Sequence, residues 1–299
     1  MIRIGTRASA LALTQAGFVG QRLAALTGDD FELVRITTEG DVRDEPLASL
    51  GGQGVFVTAV REALLAGHCD LAVHSMKDLP SACAPGLAFG AIPARQDPAD
   101  VLCARDGLTL VTLPVGAKVG TGSPRRAAQL RRLRPDLEVV GVRGNVPTRL
   151  RRVALGDLDA VVLARAGLAR LGLVDEISQV FGADELLPSA GQGALAVECR
   201  PSTAADGPLA DALSAFDDSA ARLEVTAERA VLEGLGAGCS APIGVRADYR
   251  DGILAVRAIV LSTDGARVAT GSELGPAATA RQARTQGLNL ATRLPRSLD

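Results

Sequence analysis

Short apolar runs of strand length alternate with longer stretches of helical period through the first two thirds of this 299-residue chain. IRIG (2–5) reads as a strand, and Ser9 to Leu26 carries apolar residues at helical spacing. FELVRITT (31–38) is strand-like and Val55 to Ala66 helical, followed by strands at DLAVHS (70–75) and LAFGAI (87–92). The rhythm resumes with KVGTG (118–122), a helix from Ser123, LEVVGV (137–142), a helix from Asn145, and LDAVVLA (158–164). Strands and helices in this order bury their apolar faces by forming parallel or mixed sheets covered by helices. Proline and glycine punctuate PARQDP (93–98) and PSAGQG (188–193), two expected hinges, after which ALAVECR reads as a strand returning to the first sheet. From about Ser219 the pattern changes to one long helix, Ala220 to Leu235, and three strands, VRADYR, ILAVRAIVL and ARVATGS, expected to pair antiparallel. The expected division is residues 1–95 with 194–215, then 96–193, then a small α+β domain over 216–299. The last fifteen residues show no assignable period.

An apolar fraction of 47% with 22% charged residues is that of a globular chain rather than a disordered one. With six Phe, one Tyr and no Trp, the cores must be built from Leu, Val, Ile and Ala. The same scarcity removes the stacking platforms used for single-stranded nucleic acid, and a net charge of −2 argues further against that partner. No apolar run reaches the length of a membrane span. The opening MIRIGTRASALAL enters a strand pattern without a charged leader, so a cytoplasmic location is expected. Five cysteines, an odd number without paired spacing, predict no disulfide framework. His68, Cys69, His74 and Cys83 lie close together, but no C-x-x-C or H-x-x-x-H spacing occurs, and they read as core packing rather than a metal site.

The strongest local signal is a run of nine arginines from Arg125 to Arg152, with only Asp136 and Glu138 as acids among them. A guanidinium is a planar fork matched to carboxylate and phosphate and stays charged at physiological pH. Taken singly, each arginine reads as solvated surface; position singles some out. Ser123-Pro124 supplies an N-cap hydroxyl and a proline at the first helical position, and Asn145 can cap the next helix. Both helices follow strands directly, and helix starts at the carboxyl edge of a sheet are ready anion sites. Arg125, Arg126, Arg143 and Arg149 sit on or beside these starts, which points to a shaped anion pocket.

Eight segments taken together resemble the porphobilinogen deaminase (hydroxymethylbilane synthase) family. They are IGTRASALALTQA (4–16), TTEGD (37–41), AVHSMKDLP (72–80), VGTGSPRRAAQL (119–130), VRGNVPTRL (142–150), DAVVLARAGLARLGL (159–173), LPSAGQGALAVECR (187–200) and AERAVLEGLGAGCSAPIG (227–244). They run in family order over about four fifths of the chain, and only the stretch beyond about Arg250 lacks clear matches. The resemblance implies an α/β fold with two periplasmic-binding-protein-like lobes built on mixed sheets, an active-site cleft, and a small α+β C-terminal domain. It implies a transferase that joins four porphobilinogen molecules head to tail, with loss of ammonia, onto a covalent dipyrromethane primer. Hydrolysis then releases hydroxymethylbilane for haem biosynthesis. A cytoplasmic monomer with a small-molecule substrate, and with neither nucleic acid nor membrane as partner, is expected.

The same match implies roles residue by residue. Cys239, in GAGCSAPIG, matches the position holding the dipyrromethane by a thioether, and the surrounding Gly234, Gly236 and Gly238 suggest a loop. Asp78 matches the catalytic carboxylate, which would bind pyrrole N–H groups and stabilise the cation formed as ammonia leaves. Read without the match, Asp78 is a turn aspartate before Pro80. Each pyrrole carries an acetate and a propionate, so six rings present twelve carboxylates, a reason for many forked cations. Cofactor contacts are expected from Ser75, Lys77, Thr121, Ser123, Arg125, Arg126, Arg143 and Gly144, and substrate contacts from Arg7, Ser9, Arg149, Arg170 and Gln192. Arg131, Arg132, Arg134, Arg151 and Arg152 match no such position and are expected on solvated helix faces.

Two departures from the family pattern stand out. SLGGQGVFVTA (49–59) places Ser49, Gln53 and Thr58 where many members have lysines, in a loop expected to act as a lid. Gly122 and Pro124 replace the usual serine and leucine of the T-S-S-L-R-R motif. The competing reading is a two-lobed anion-binding protein without catalysis, which leaves Cys239 and Asp78 without a role. Sorting the arginines by position predicts that Arg143→Ala lowers turnover well below that of Arg132→Ala; equal kcat/KM for the two variants would contradict it.

Overall fold

The computed structural model describes residues 1–37, 57–82, 84–238 and 241–299. The first elements are β1 (Ile2–Arg7), α1 (Ala10–Thr27), β2 (Phe31–Ile36), α2 (Thr58–Leu65), β3 (Leu71–Ser75) and β4 (Ala88–Ala91). The chain then builds β5 (Asp100–Ala104), β6 (Lys118–Gly120), α3 (Pro124–Leu133), β7 (Glu138–Val140), α4 (Val146–Ala154), β8 (Ala160–Ala164), α5 (Arg165–Arg170) and β9 (Gln179–Val180). It continues with β10 (Leu195–Cys199), α6 (Pro208–Phe216), α7 (Ser219–Leu235), β11 (Ile243–Arg250), β12 (Ile253–Leu261), β13 (Val268–Pro276) and α8 (Ala280–Thr292). Two compact units result: Met1–Gln96 with Ala194–Leu223, and Asp97–Gly193 with Glu224–Asp299.

The first unit holds a five-stranded sheet in the order β2-β1-β3-β10-β4. β1 runs parallel to β2 and β3, whereas β10 lies antiparallel to both β3 and β4. Side chains alternate across the strands. Leu71, Val73, Leu195, Val197 and Cys199 join a core with Val19 and Leu23 of α1 and Leu213 of α6. Ala72 faces a second core containing Val60 and Leu64 of α2 and the buried Cys69. Because both faces are covered, Leu71–Val73 of β3 and Leu195–Val197 of β10 are apolar without alternation.

The second unit repeats the plan in the order β7-β6-β8-β5-β9, with β6 parallel to β7 and β8, and β5 antiparallel to β8 and β9. In each sheet three parallel strands adjoin one antiparallel strand, β10 in the first and β5 in the second. The second unit also carries the antiparallel meander β11-β12-β13.

The expected mixed α/β architecture with a small C-terminal sheet is present, and β10 does return to the first sheet. The sequence reading passed over β5, α5, β9, α6 and α8. DVLCA of β5 starts just beyond the expected hinge at 93–98 and opens on an aspartate, a residue type depleted in strands. α8 runs into the last fifteen residues, which show no assignable period, and begins before them with a capping box, the Thr279 hydroxyl and Gln282 side chain each taking the other's backbone N–H.

Gly287 fixes how α8 meets α7. A Cβ there would lie 2.3 Å from the Ala227 carbonyl oxygen and 2.8 Å from Ala230 Cβ. Alanine would gain about 1 kcal/mol of helix propensity but incur overpacking of about 1–3 kcal/mol. Gly17 of α1 has open space where its Cβ would stand. Gly287→Ala is therefore expected to lower the denaturant midpoint and Gly17→Ala to raise it; the same sign for both would show that close packing does not govern the α7–α8 contact.

Candidate functional site

In the first unit, β1 and β3 are neighbouring parallel strands, so their carboxyl ends lie side by side. β1 ends at Arg7; Ser9 then caps α1, its Oγ accepting from the Ala12 N–H at 3.3 Å. β3 ends at Ser75 and passes into a 3-10 turn over Met76–Asp78. Arg7, Ser9, Ser75 and Asp78 line one cavity at this edge, together with Gln15 and His74. Asp78 is exposed there and Lys77 half-buried. Gln15, buried in α1, donates from Nε2 to Ser75 Oγ at 2.9 Å, and Ser75 donates back to Gln15 Oε1 at 3.2 Å. Four of the first unit's expected residues thus share a cavity, where an exposed carboxylate stands beside a guanidinium and two hydroxyls. Such a set can hold a cationic N–H group and an anionic substituent of one ligand.

In the second unit the expected residues gather at the carboxyl ends of β6 and β7. Ser123 Oγ accepts the Arg126 N–H at 3.4 Å, with Pro124 in the first turn of α3. Asn145 Oδ1 accepts the Thr148 N–H at 2.9 Å at the start of α4. Both caps therefore stand as the sequence reading had them. Thr121 is buried and its Oγ1 accepts the Ser123 N–H at 3.2 Å. Gly144 has φ 99, and a Cβ there would meet Thr148 Cγ2 at 2.8 Å, so glycine is required on two grounds. At Gly122 a Cβ would lie 2.8 Å from the Val142 carbonyl oxygen. The glycine that departs from the family motif thus matches a close backbone approach in this chain.

Arg125 and Arg126 point inward. Both guanidiniums bind the wholly buried Asp100 at the start of β5: Arg125 Nη1 donates to Oδ2 at 2.5 Å and Arg126 Nε to Oδ1 at 2.9 Å. Gln192 donates from Nε2 to Asp100 Oδ1 at 2.8 Å and to the Pro98 carbonyl at 2.7 Å. Further bonds run from Arg125 to the Leu187 carbonyl and from Arg126 to the Val162 carbonyl. Burial alone would raise the Asp100 carboxyl, but the two arginines outweigh it and hold it well below the ordinary range. Two cations against one anion leave this cluster positive, and Arg125 Nε is buried without a hydrogen-bond partner.

Arg149 and Arg170 add charge without adding acids. Arg149 Nε donates to the Gly144 carbonyl at 2.8 Å and Arg170 Nη2 to the Gly193 carbonyl at 2.6 Å. Among the described residues neither has a carboxylate partner. Burial, and for Arg149 also Arg126, lowers the affinity of these guanidiniums for their protons, with Arg170 reaching about 10. Half-buried cations without a carboxylate partner gain from a bound anion. Arg143, after β7, is exposed.

Arg134 departs from its expected place on a solvated face. It clips the Asp136 carboxylate at 2.6 Å and the Leu110 and Leu113 carbonyls at 2.5 and 3.1 Å, tying α3 to the segment before β6. Arg132 and Arg151 are exposed as expected. Sequence reasoning missed Asp100, Gln15 and Glu228. Glu228 is wholly buried in α7 and accepts the Gly191 N–H at 2.6 Å and the Ala247 N–H at 2.8 Å. An acid among Val225, Ala227 and Val231 was its only signal. Cys69, Cys103 and Cys199 are buried, and burial pushes their thiols up, Cys103 to about 12, which disfavours the reactive thiolate. Among the described residues no cluster could hold a metal ion. Cys239, Cys83 and the 49–56 part of the expected lid lie outside the described residues.

Two family models match the chain: "Porphobilinogen deaminase, dipyromethane cofactor binding domain" over residues 2–205, and "Porphobilinogen deaminase, C-terminal domain" over 222–295. A porphobilinogen deaminase of Leifsonia xyli is 55% identical over 91% of this chain and 83% of its own length. One from Mycobacterium tuberculosis is 52% identical over 98% of this chain and 96% of its own. Among solved structures, a periplasmic substrate-binding protein of an ABC transporter from Coxiella burnetii covers 74% of this chain and 94% of its own, at 16% identity and a TM-score of 0.46.

Asp100 and Arg170 should respond to substitution in opposite ways. Asp100→Asn strips the charge from a buried pair and is expected to cost about 3–5 kcal/mol of stability. Arg170→Met removes a half-buried cation that has no carboxylate partner among the described residues and is expected to leave Tm unchanged or higher while turnover falls. A Tm loss for Arg170→Met equal to that of Asp100→Asn would make Arg170 a structural residue.

Proposed function

This chain belongs to the porphobilinogen deaminase family, and from that premise we propose how its residues divide the work. The enzyme is a transferase of tetrapyrrole (haem) biosynthesis that condenses porphobilinogen onto a dipyrromethane cofactor and releases hydroxymethylbilane. The non-catalytic anion-binding alternative gives way to this reading.

The residues present fit a polycarboxylate cofactor and product. The observation that carries the reading is the surplus of buried and half-buried guanidinium charge: Arg125 and Arg126 share one acid, and the half-buried Arg149 and Arg170 bind backbone carbonyls. Acetate and propionate groups supply the anions that such forks accept bidentately. Arg125, Arg126, Arg143, Thr121, Ser123, Gly144, Ser75 and Lys77 are assigned to the cofactor, and Arg7, Ser9, Arg149, Arg170 and Gln192 to the incoming substrate. Within this set Arg126 and Gln192 also hold Asp100, so part of their action on carboxylates is to keep the cradle rigid.

Bound through Cys239, the dipyrromethane supplies the nucleophilic pyrrole carbon that begins each chain. Asp78 accepts hydrogen bonds from pyrrole N–H groups and offsets the positive charge that grows on ring nitrogen as ammonia leaves and again as the new ring sheds its proton. Arg7, which lines the same cavity, pairs a side-chain carboxylate of the ring whose N–H faces Asp78. The burial of the three described cysteines supports Cys239 as the attachment thiol. The reading includes three domains (1–95 with 194–215, 96–193 and 216–299) and a cytoplasmic monomer that requires neither nucleic acid nor membrane. No helix among the described residues is long and apolar enough to cross a membrane.

The intact protein is expected to exceed its chain mass by two linked pyrroles, and Cys239→Ser to match the bare chain. A full mass addition on the serine variant would overturn the attachment. Asp78→Ala should keep the mass addition and the melting temperature while losing turnover by about 10²-fold or more; near-normal kcat would remove Asp78 from its role.

A further inference from the structure

His74 and Glu198 form a buried pair behind the cavity of the first unit. They lie on the face of β3 and β10 that α2 covers, opposite the core face of Val73 and Val197, and the register sets Ala196 beside His74. Glu198 is 2% exposed. Arg61 of α2 grips it with a complete fork, Nε to Oε2 at 2.8 Å and Nη2 to Oε1 at 2.6 Å. Burial would raise this carboxyl, but His74 and Arg61 together hold it down at about 2, so it is anionic throughout the working range. His74 Nε2 lies 3.3 Å from Glu198 Oε2 and is buried, and among the described residues it makes no hydrogen bond within normal geometry. His74 is also one of the residues that line the cavity with Ser75, Asp78 and Arg7.

Two facts set the tautomer. A lone pair on Nε2 would face a carboxylate oxygen at 3.3 Å, acceptor against anion, so the proton belongs on that nitrogen. Arg61 already neutralises Glu198, so a neutral imidazole suffices. We propose that Glu198, clamped by Arg61, is a positioning residue that holds His74 as its Nε2–H tautomer and leaves the Nδ1 lone pair to the cavity as an acceptor for pyrrole N–H beside Asp78. This inference rests on the reading of that cavity as the condensation site. Asp78 supplies the charge; His74 supplies a second, uncharged acceptor whose direction is fixed from behind. A fixed acceptor aids the charge-separated stage more than the resting substrate, because the N–H becomes more acidic as positive charge grows on the ring. The effect should therefore fall on kcat and not on KM.

The chain has two histidines, and the other, His68, is exposed. The cofactor-loaded full chain, labelled with ¹⁵N-histidine and carrying His68→Ala to leave a single imidazole, reports the tautomer directly by NMR. A proton on Nε2 and a bare Nδ1 are expected. A proton on Nδ1, or on both nitrogens at neutral pH, would overturn the assignment in the unmodified cavity, whatever the substitutions at Glu198 do. Glu198→Gln can donate to Nε2 from its amide, so the imidazole should shift toward the Nδ1–H form, with kcat falling about tenfold and KM within twofold. Glu198→Asp, which restores an anion, should recover part of that loss. A variant with the cofactor mass, a displaced tautomer and an unchanged kcat would sink the positioning role. Absence of the cofactor mass from the unsubstituted protein would instead strike the functional reading, leaving the tautomer measurement standing on its own.

Discussion

Asp100 is the charge around which the second unit is organised. It opens β5, the antiparallel strand of its sheet, and its two oxygens take hydrogen bonds from Arg125, Arg126 and Gln192. Those three side chains arrive from the start of α3 and from the loop before β10. One buried carboxylate thus ties the antiparallel strand β5, the amino end of a helix and a connecting loop into a rigid frame. A lone anion in that position would cost several kcal/mol; with two arginines it stays ionised and the surplus charge is cationic. That surplus, joined by Arg149 and Arg170, turns a structural knot into a receptor for carboxylates.

The first unit uses the same device on a smaller scale. Glu198 sits on β10, the antiparallel strand of that sheet, and is held by Arg61 with His74 alongside. In both units the antiparallel strand carries the buried acid, and the donors that satisfy it adjoin the residues assigned to ligand. The linkage has a definite sign. Both carboxyls are held below their ordinary values, so their contribution to stability is present above the unfolded carboxyl pKa. It is lost as pH falls through the folded value, about 2 for Glu198.

Residues whose role depends on near neighbours were legible in the sequence. Ser123-Pro124 and Asn145 announce helix starts because capping is settled within three residues. Apart from β5, the strands from Ile2 to Ala164 were read from apolar runs bounded by turn residues, since burial on both faces leaves that mark. Arg134 was misplaced because its carbonyl partners at Leu110 and Leu113 lie more than twenty positions away. Asp100 was invisible for the same reason: an aspartate after Pro98 looks like a turn until Arg125 and Gln192 are brought to it.

By itself the sequence determined the alternation of elements, the caps that place arginines at two helix starts, and the eight ordered segments that identify the family. Only the tertiary structure decided which arginines carry unspent charge. Arg125 and Arg126 share an acid, Arg134 is spent on Asp136 and on the Leu110 and Leu113 carbonyls, and Arg149 and Arg170 are half-buried beside carbonyls. The physical reason is that every guanidinium is equally charged as a residue type; its capacity to bind an anion depends on the partners and the water that folding leaves around it.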